Sequence, residues 1–489
     1  MTRRRAAPPA GGISFERMAI ALLFVALGFR ALLMPAQSDT FWLLRDGAEI
    51  LRTHQIPHVE TYSFTARGAP YTDHEWLSEA LLAFGHRWGG MPGTELVAGA
   101  AIIAAMALIY RLMIGPLLTR FVLLAATLAL SSCVWALRPT VFSLFCVCLL
   151  IWLLARERFR YLPPLFLLWA NAHGGVVLGW VVLAGAVAAA AIRWRVAGAP
   201  ADRRRVLALA VVVPLAALAT LATPLGPRLF AYVVETARRG YAIHITEWDP
   251  TLPTDLLGTL FWIVALGFWV VLVLRRRALA AGSWADWAIV AAAIVLFPVA
   301  VRSLRNVSPF LMLAAPAASR LLGPTFRFRL PGARAAARPD SPDHPVLNLA
   351  LLGGAVVLAA AFLVLGWRSG AGPLDWRPVS AQALGAIRGC SGPLYNDYDS
   401  GGYLIWFAPE RPVFVDNRQD PYPLPFLLEH VAVERGEKPY RPLFDRWGIR
   451  CAFLPATAKT TQRLLADGWG MRFRDDRWAV MGAPASDGR

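Results

Sequence analysis

Charge is scarce in this chain. Only 17% of its 489 residues are charged and 57% are hydrophobic, whereas a soluble domain carries about 25% charged residues and about 45–50% apolar ones. A soluble enzyme or a disordered chain of this length is excluded, and a multi-span membrane protein is the reading. Lysine is nearly absent, Lys438 and Lys459 being the only two among 49 basic residues. The net charge of +17 is therefore an arginine charge. It is broken into short clusters between apolar runs, the pattern of topogenic charge and not of a nucleic-acid-binding stripe. Five cysteines are too few for a disulfide framework. Cys133, Cys146 and Cys148 lie in apolar runs as small hydrophobes. Cys390 and Cys451 lie in a polar tail and are expected to pair, in an oxidising compartment. No small-residue cleavage site follows the first apolar run, which reads as a retained span. Gly401-Gly402 lacks the glycine spacing of a nucleotide-binding loop, and no internal repeat supports an inverted-repeat transporter.

What is abundant is apolar runs. About 20 apolar residues cross a bilayer as a helix, which satisfies every backbone polar group within the segment. Candidate spans fall near 16–35, 95–114, 120–136, 140–155, 162–172, 175–192, 206–223, 256–274, 285–301, 307–322 and 346–366. The fifth carries Pro163 and Pro164 and runs into His173-Gly174-Gly175, so it reads as a half-helix or a bent one. With the N-terminus inside, 21 arginines fall on inner segments and 6 on short outer loops. By the positive-inside rule the N-terminus is cytoplasmic, and eleven spans then place the C-terminus periplasmic or extracellular, in a bacterial inner membrane. The expected organisation is a polytopic all-α membrane domain over 1–366, with a long first outer loop at 36–94 and a middle outer loop at 224–255, and a small outer α/β domain over 367–489. The basic stretch 323–345, with Pro331, Pro339, Pro342 and Pro345 among its residues, reads as a solvated inner linker.

The first outer loop begins Ser38-Asp39-Thr40-Phe41-Trp42. Leu43, Leu44, Ala48 and Leu51 recur at helical spacing, with Asp39 or Thr40 as N-cap. An extended segment ending Gly68-Ala69-Pro70-Tyr71-Thr72-Asp73-His74-Glu75 leads to a second amphipathic helix near 75–88. Two such helices form an interfacial platform. A carboxylate at the bilayer edge is partly desolvated, which raises its pKa toward a useful range for a base. Asp39 thus serves either as that base or as a helix cap. Asp73-His74-Glu75, a carboxylate–imidazole–carboxylate run, is able to bind a divalent cation or to form a solvated turn; neighbours in an extended segment point to opposite faces, so two of the three converge.

This acid after the first span, the helix behind it and the Gly-x-Pro-Tyr-x-Asp ending resemble the first outer loop of GT-C membrane glycosyltransferases, in the branch of the protein mannosyltransferases and lipid A aminoarabinose transferases. The resemblance implies a polyprenyl-phosphate-linked sugar as donor and an outer-face glycan, lipid or protein as acceptor. It implies Asp39 as catalytic base or metal-linked acid, and Asp73 with Glu75 as acids facing the donor. Several relatives carry two adjacent acids where this chain has Asp39-Thr40. The chain is similar also to uncharacterised bacterial membrane proteins through Trp169-Ala170-Asn171-Ala172-His173-Gly174-Gly175 and Asn396-Asp397-Tyr398-Asp399-Ser400-Gly401-Gly402-Tyr403.

Polar groups at the ends of spans are functional candidates by default. Arg138, Arg302 and Arg305 sit at outer turns and suit the donor phosphate or snorkel to membrane lipids. His74, Asn171 and His173 are expected to line a cavity. The middle-loop run Tyr241 to Pro250, with His244, Glu247, Trp248 and Asp249, reads mainly as interfacial anchoring. In the tail, helices at 379–388, 401–407 and 421–434 alternate with strands at 393–397, 411–416, 450–454, 469–473 and 477–482. Asp397, Asp399, Asp416 and Arg418 then lie at carboxyl ends of strands, where open α/β sheets bind ligands, or serve turn chemistry. The functional reading is a membrane glycosyltransferase; a non-catalytic scaffold for cell-envelope assembly and a transporter or flippase are the alternatives.

Overall fold

The computed structural model describes residues 12–326 and 344–484. The Arg3–Arg5 cluster and residues 327–343 of the basic stretch lie outside the described residues. Eighteen α-helices and four strands occur among the described residues. The helices are α1 (Phe15–Ala31), α2 (Ser38–Thr53), α3 (Trp76–Leu112), α4 (Leu117–Ser131), α5 (Thr140–Ala155), α6 (Leu162–Ala172), α7 (Val176–Ala197), α8 (Pro200–Thr220), α9 (Arg228–Ala242), α10 (Leu256–Ala280), α11 (Trp284–Arg302), α12 (Val307–Leu322), α13 (Pro345–Ser369), α14 (Ala381–Arg388), α15 (Gly401–Phe407), α16 (Leu424–Glu434), α17 (Arg441–Trp447) and α18 (Lys459–Ala466). The strands are β1 (Leu394–Asn396), β2 (Cys451–Pro455), β3 (Gly470–Arg474) and β4 (Trp478–Gly482).

Each of the eleven apolar runs lies on a helix. Six stretches among the described residues are long and apolar enough to cross a membrane: α3, α4 with its 3-10 extension to Val134, α7, α10, α11 and α13. Local chemistry sets the breaks between them. In α3, Gly90 takes φ +60° two residues before Pro92, which splits the helix into an amphipathic first half and an apolar second half. Between α6 and α7, His173 is extended, and Gly174-Gly175 restart the chain, so the fifth and sixth runs are two separate helices.

α12 is buried along almost its whole length, and its Phe310 packs with Phe261, Phe268 and Phe297 of α10 and α11. A second core continues from α1 and α3 through Phe41, Leu43 and Leu44 of α2 into Leu404, Val413, Cys451 and Val480 of the tail. α2 is therefore not the expected interfacial helix. A Cβ on Gly47 would come 2.1 Å from the Glu79 carbonyl oxygen, and one on Gly402 would come 2.3 Å from that of Ser38. Glycine at these two positions lets α3 and α15 close on α2 from either side.

The tail sheet is mixed, in the order β1-β2-β4-β3. β1 runs parallel to β2, and β4 is antiparallel to both β2 and β3. A Cys390–Cys451 disulfide ties the end of α14 to β2. The strand expected at 411–416 does not join this sheet. Val413 forms an isolated bridge with Ser63 of the first outer loop, its N–H donating to Tyr62 at 3.0 Å and its carbonyl accepting from Phe64 at 3.1 Å. The Asn396 side chain takes the place of a neighbouring strand, accepting from the Phe414 N–H (2.8 Å) and donating to the Val415 carbonyl (2.7 Å).

Candidate functional site

The start of α2 is tied down before any chemistry is placed on it. The Thr40 hydroxyl accepts from the Gln37 N–H at 2.9 Å and donates to the Leu137 carbonyl at 2.9 Å. The N-cap is Gln37, not Asp39 or Thr40; Thr40, at the third helical position, bonds back to it and holds α2 against the 137–139 turn, and the Asp39 carboxylate faces a cavity of about 720 Å³. The cavity lies between the first turns of α5, α7 and α12, one face of α9 and the tail loops at 398–403 and 417–420. A smaller groove of about 220 Å³, with Cys133, Val134, Trp135, Val141 and Leu304 on its apolar side, adjoins it. Arg138, Glu247 and Arg305 line both spaces.

A chain of alternating charges runs along this junction. Arg138 Nη1 donates to Asp39 Oδ2 at 3.0 Å, and its Nη2 donates to Glu247 Oε2 at 2.7 Å. Arg305 Nη1 stands 3.4 Å from Glu247 Oε1 and lies 4.5 Å over the Trp248 ring. The other Asp39 oxygen accepts from the carboxamide nitrogen of Asn417, which the tail brings in. Burial pushes the Asp39 carboxyl above its ordinary value, with Arg138 opposing. Burial would also raise Glu247, but the Arg138 and Arg305 guanidiniums hold it down at about 2.

A second constellation faces the same cavity. Glu75 Oε1 stands 3.1 Å from His74 Nε2 and 3.4 Å from His173 Nε2. His173 Nδ1 accepts from the Gly175 N–H at 3.1 Å. Ser143, itself accepting from Trp169 Nε1, therefore donates to Nδ1 at 2.7 Å, and the ring proton sits on Nε2, aimed at Glu75. Against the pull of burial, His74 and His173 lower the Glu75 carboxyl to about 2. Burial would lower His74, yet Glu75 raises it above the ordinary imidazole value. Asp73 also lines the cavity, with its carboxyl toward Glu79 and not toward the histidines, and burial raises it to about 7.

Not every expected residue converges. Asn171 does not line the cavity: its Nδ2 donates to the carbonyls of Leu167 and Ala222, and its oxygen accepts from Trp76 Nε1 at 2.8 Å. It joins three helical segments. Arg302 is exposed and stacks on Tyr241 at 4.0 Å, outside the cavity. Its neighbour Arg305 lies three residues on, within a 3-10 turn, and points in. The tail acids do not make a sheet-edge site of their own. Asp416 grips Arg418 through two oxygens at 2.8 and 2.7 Å, and Arg418 Nη2 also reaches Glu60 at 2.7 Å. Arg418 sits between Tyr62 and Tyr71 as well. This buried knot joins the tail to the first outer loop. Asp399 and Arg418 line the main cavity, whereas Asp397 does not. Among the described residues no group of three or more His, Cys, Asp or Glu side chains is arranged to hold a metal ion. Asp39 engages Arg138 with one oxygen and Asn417 with the other.

No family profile matches the chain, and no curated protein does. Solved structures do. The oligosaccharyltransferase AglB of Archaeoglobus fulgidus, in complex with an inhibitory peptide and a dolichol-phosphate, superposes with a TM-score of 0.54 at 12% identity, over 90% of this chain and 69% of that one. The chain has the GT-C fold. ArnT from Cupriavidus metallidurans is also similar, with a TM-score of 0.49 at 15% identity, over 96% of this chain and 99% of that one. Within this GT-C chain, sequence reasoning passed over Glu247 as an anchor, and it missed Asn417, Tyr232 and Asp420. Tyr232 carries the His74 ring at 4.5 Å and donates to Asp420. The acid in Ile245-Thr246-Glu247-Trp248, alone among anchoring residues, was the available signal for Glu247.

Proposed function

We propose that the chain is a polyprenyl-phosphate-dependent membrane glycosyltransferase acting on an outer-face acceptor. Asp39 is the base, and Arg138 and Arg305 hold the donor phosphate. The observation that carries this reading is the Asp39–Arg138 pair at 3.0 Å, standing where the large cavity meets a smaller side groove. The groove offers a lipid chain a way in beside the cations that would hold its phosphate. In the step, an acceptor hydroxyl gives its proton to the Asp39 carboxylate as its oxygen bonds the anomeric carbon. The bond from that carbon to the donor phosphate breaks, and the charge left on the polyprenyl phosphate meets the two guanidiniums. No part of this step is routed through a metal. Asp73, His74, Glu75 and His173 orient the sugar from the opposite wall. The similar oligosaccharyltransferase, whose structure holds a dolichol-phosphate, supports this ligand class.

The reading includes eleven spans with the N-terminus cytoplasmic, a membrane domain over 1–366, and an outer domain over 367–489 that completes the cavity. The test is Asp39→Asn, which keeps the shape and removes the base. Loss of a positioned base costs about 10²–10⁴ in rate. Sugar transfer from polyprenyl-phosphate donors should fall by that much while the melting behaviour of the full chain is kept. Full activity in Asp39→Asn would remove the base assignment and favour the scaffold.

A further inference from the structure

We infer that Glu247 occupies the seat of the donor phosphate and must be displaced before the donor binds, so that the middle outer loop is a built-in competitor for the lipid phosphate. The inference rests on the transferase reading and deepens it. Glu247 stands between two guanidiniums, 2.7 Å from Arg138 and 3.4 Å from Arg305. A carboxylate and a phosphate compete for such a fork through the same charge and the same N–H geometry. The three side chains stand where the smaller groove meets the main cavity. A polyprenyl chain lying along Val134, Trp135, Val141 and Leu304 would deliver its phosphate to this point.

Charge bookkeeping favours exchange over coexistence. Arg138 and Arg305 balance Asp39 and Glu247, so the four groups sum to zero. A sugar–phosphate diester carries one negative charge, and exchanging it for Glu247 keeps the sum at zero. After transfer the phosphate carries two negative charges and Asp39 is protonated, and the sum is still zero. With Glu247 left in place, every stage carries one uncompensated negative charge in a partly desolvated site, which is unfavourable.

Displacing Glu247 requires only that its side chain leave the two guanidiniums. It lies on a 3-10 turn, Thr246–Trp248, whose backbone is tied to the α11–α12 junction. Ser303 Oγ donates to the Glu247 carbonyl at 3.0 Å, and the Leu304 N–H donates to Asp249 at 3.0 Å. Arg302 on Tyr241 and Arg305 on Trp248 add two cation–aromatic stacks.

Cys133 supplies a native reporter. It lines the groove and is exposed, whereas Cys146 and Cys148 are buried and Cys390 and Cys451 are bonded to each other. The experiment measures protection of Cys133 from maleimide alkylation in the full chain in detergent, titrated with undecaprenyl phosphate. Undecaprenol without phosphate, and inorganic phosphate alone, form the comparison arms. Glu247→Gln should reach half-protection at on the order of tenfold less undecaprenyl phosphate than the wild type, the effect of removing one close competing charge. Glu247→Ala should do the same, and undecaprenol should protect all three forms equally. An equal or higher requirement in both variants overturns the competitor role and leaves the transferase reading standing. Inorganic phosphate that protects as well as the lipid overturns the lipid assignment. Failure of undecaprenyl phosphate to protect any form overturns both.

Discussion

Arg138 is asked to do two jobs, and a pH profile separates them. One N–H points at Asp39 and another at the place assigned to the phosphate, and replacing the side chain by Ala removes both. The base works only when deprotonated, so activity rises with pH through the Asp39 pKa. Burial, with Glu247 and Glu75 nearby, pushes that pKa up, and Arg138 pulls it down. Deleting Arg138 leaves the upward pressures unopposed, and the acid limb must move to higher pH. A cation in direct contact lowers a carboxylate by about 1–3 units, so a displacement of about 1–2 units is expected in Arg138→Ala. At the wild-type midpoint this alone removes roughly 5- to 50-fold of the rate, and raising the pH restores it. The phosphate contribution is not restored by base and persists as a plateau loss in kcat/KM. The assay is release of polyprenyl phosphate from a panel of polyprenyl-phosphate sugars across pH 5 to 9 (about the range in which the chain is expected to stay folded). An acid limb that stays in place, or moves to lower pH, refutes the assignment of Asp39 as a base tuned by Arg138.

Arg418→Leu leaves Asp416 and Glu60 buried without their cation, a loss of about 3–5 kcal/mol. The melting transition of the full chain should drop accordingly and the tail should become protease-sensitive; a change below about 1 kcal/mol would contradict the knot's structural role. Asn417→Asp sets a second carboxylate against Asp39, and two such acids share a proton. Activity near neutral pH should fall much further than in Asn417→Ala, with donor KM nearly unchanged in both, and equal losses in the two variants would show that Asn417 only packs.

How far the sequence reaches depends on the range of the interaction. Runs of about 20 apolar residues declare helices locally, and all eleven lie on helices. The 173–175 break was legible because His-Gly-Gly interrupts an apolar pattern. Asp39, Arg138 and the His74–Glu75–His173 group were found because polar residues at span ends have few structural uses. Arg302 and Arg305 look equivalent as text, but they lie three residues apart around a tight turn, so one stacks outward and one faces in. Asn171 has the composition of a cavity residue, yet a buried amide beside free carbonyls satisfies its hydrogen bonds on the backbone. Residues 411–416 alternate like a strand, and nothing local said that their partner would be Ser63, 350 residues earlier.

Asn417 marks the limit of local reading and also explains the architecture. It lies 378 residues from the carboxylate it holds, on a loop that the Asp416–Arg418–Glu60 knot fastens to the first outer loop. The same segment reaches the opposite wall, where Asp420 accepts from Tyr232 beneath His74. The tail is therefore a wall of the cavity rather than a separate module. A carboxylate on one short helix turn next to open solvent would sit near its ordinary pKa and lack orientation. Covering it from above excludes water, raises its basicity and fixes one oxygen, while Arg138 fixes the other. The physical effect of the tail is to turn an acid at the start of α2 into an oriented one inside a cavity.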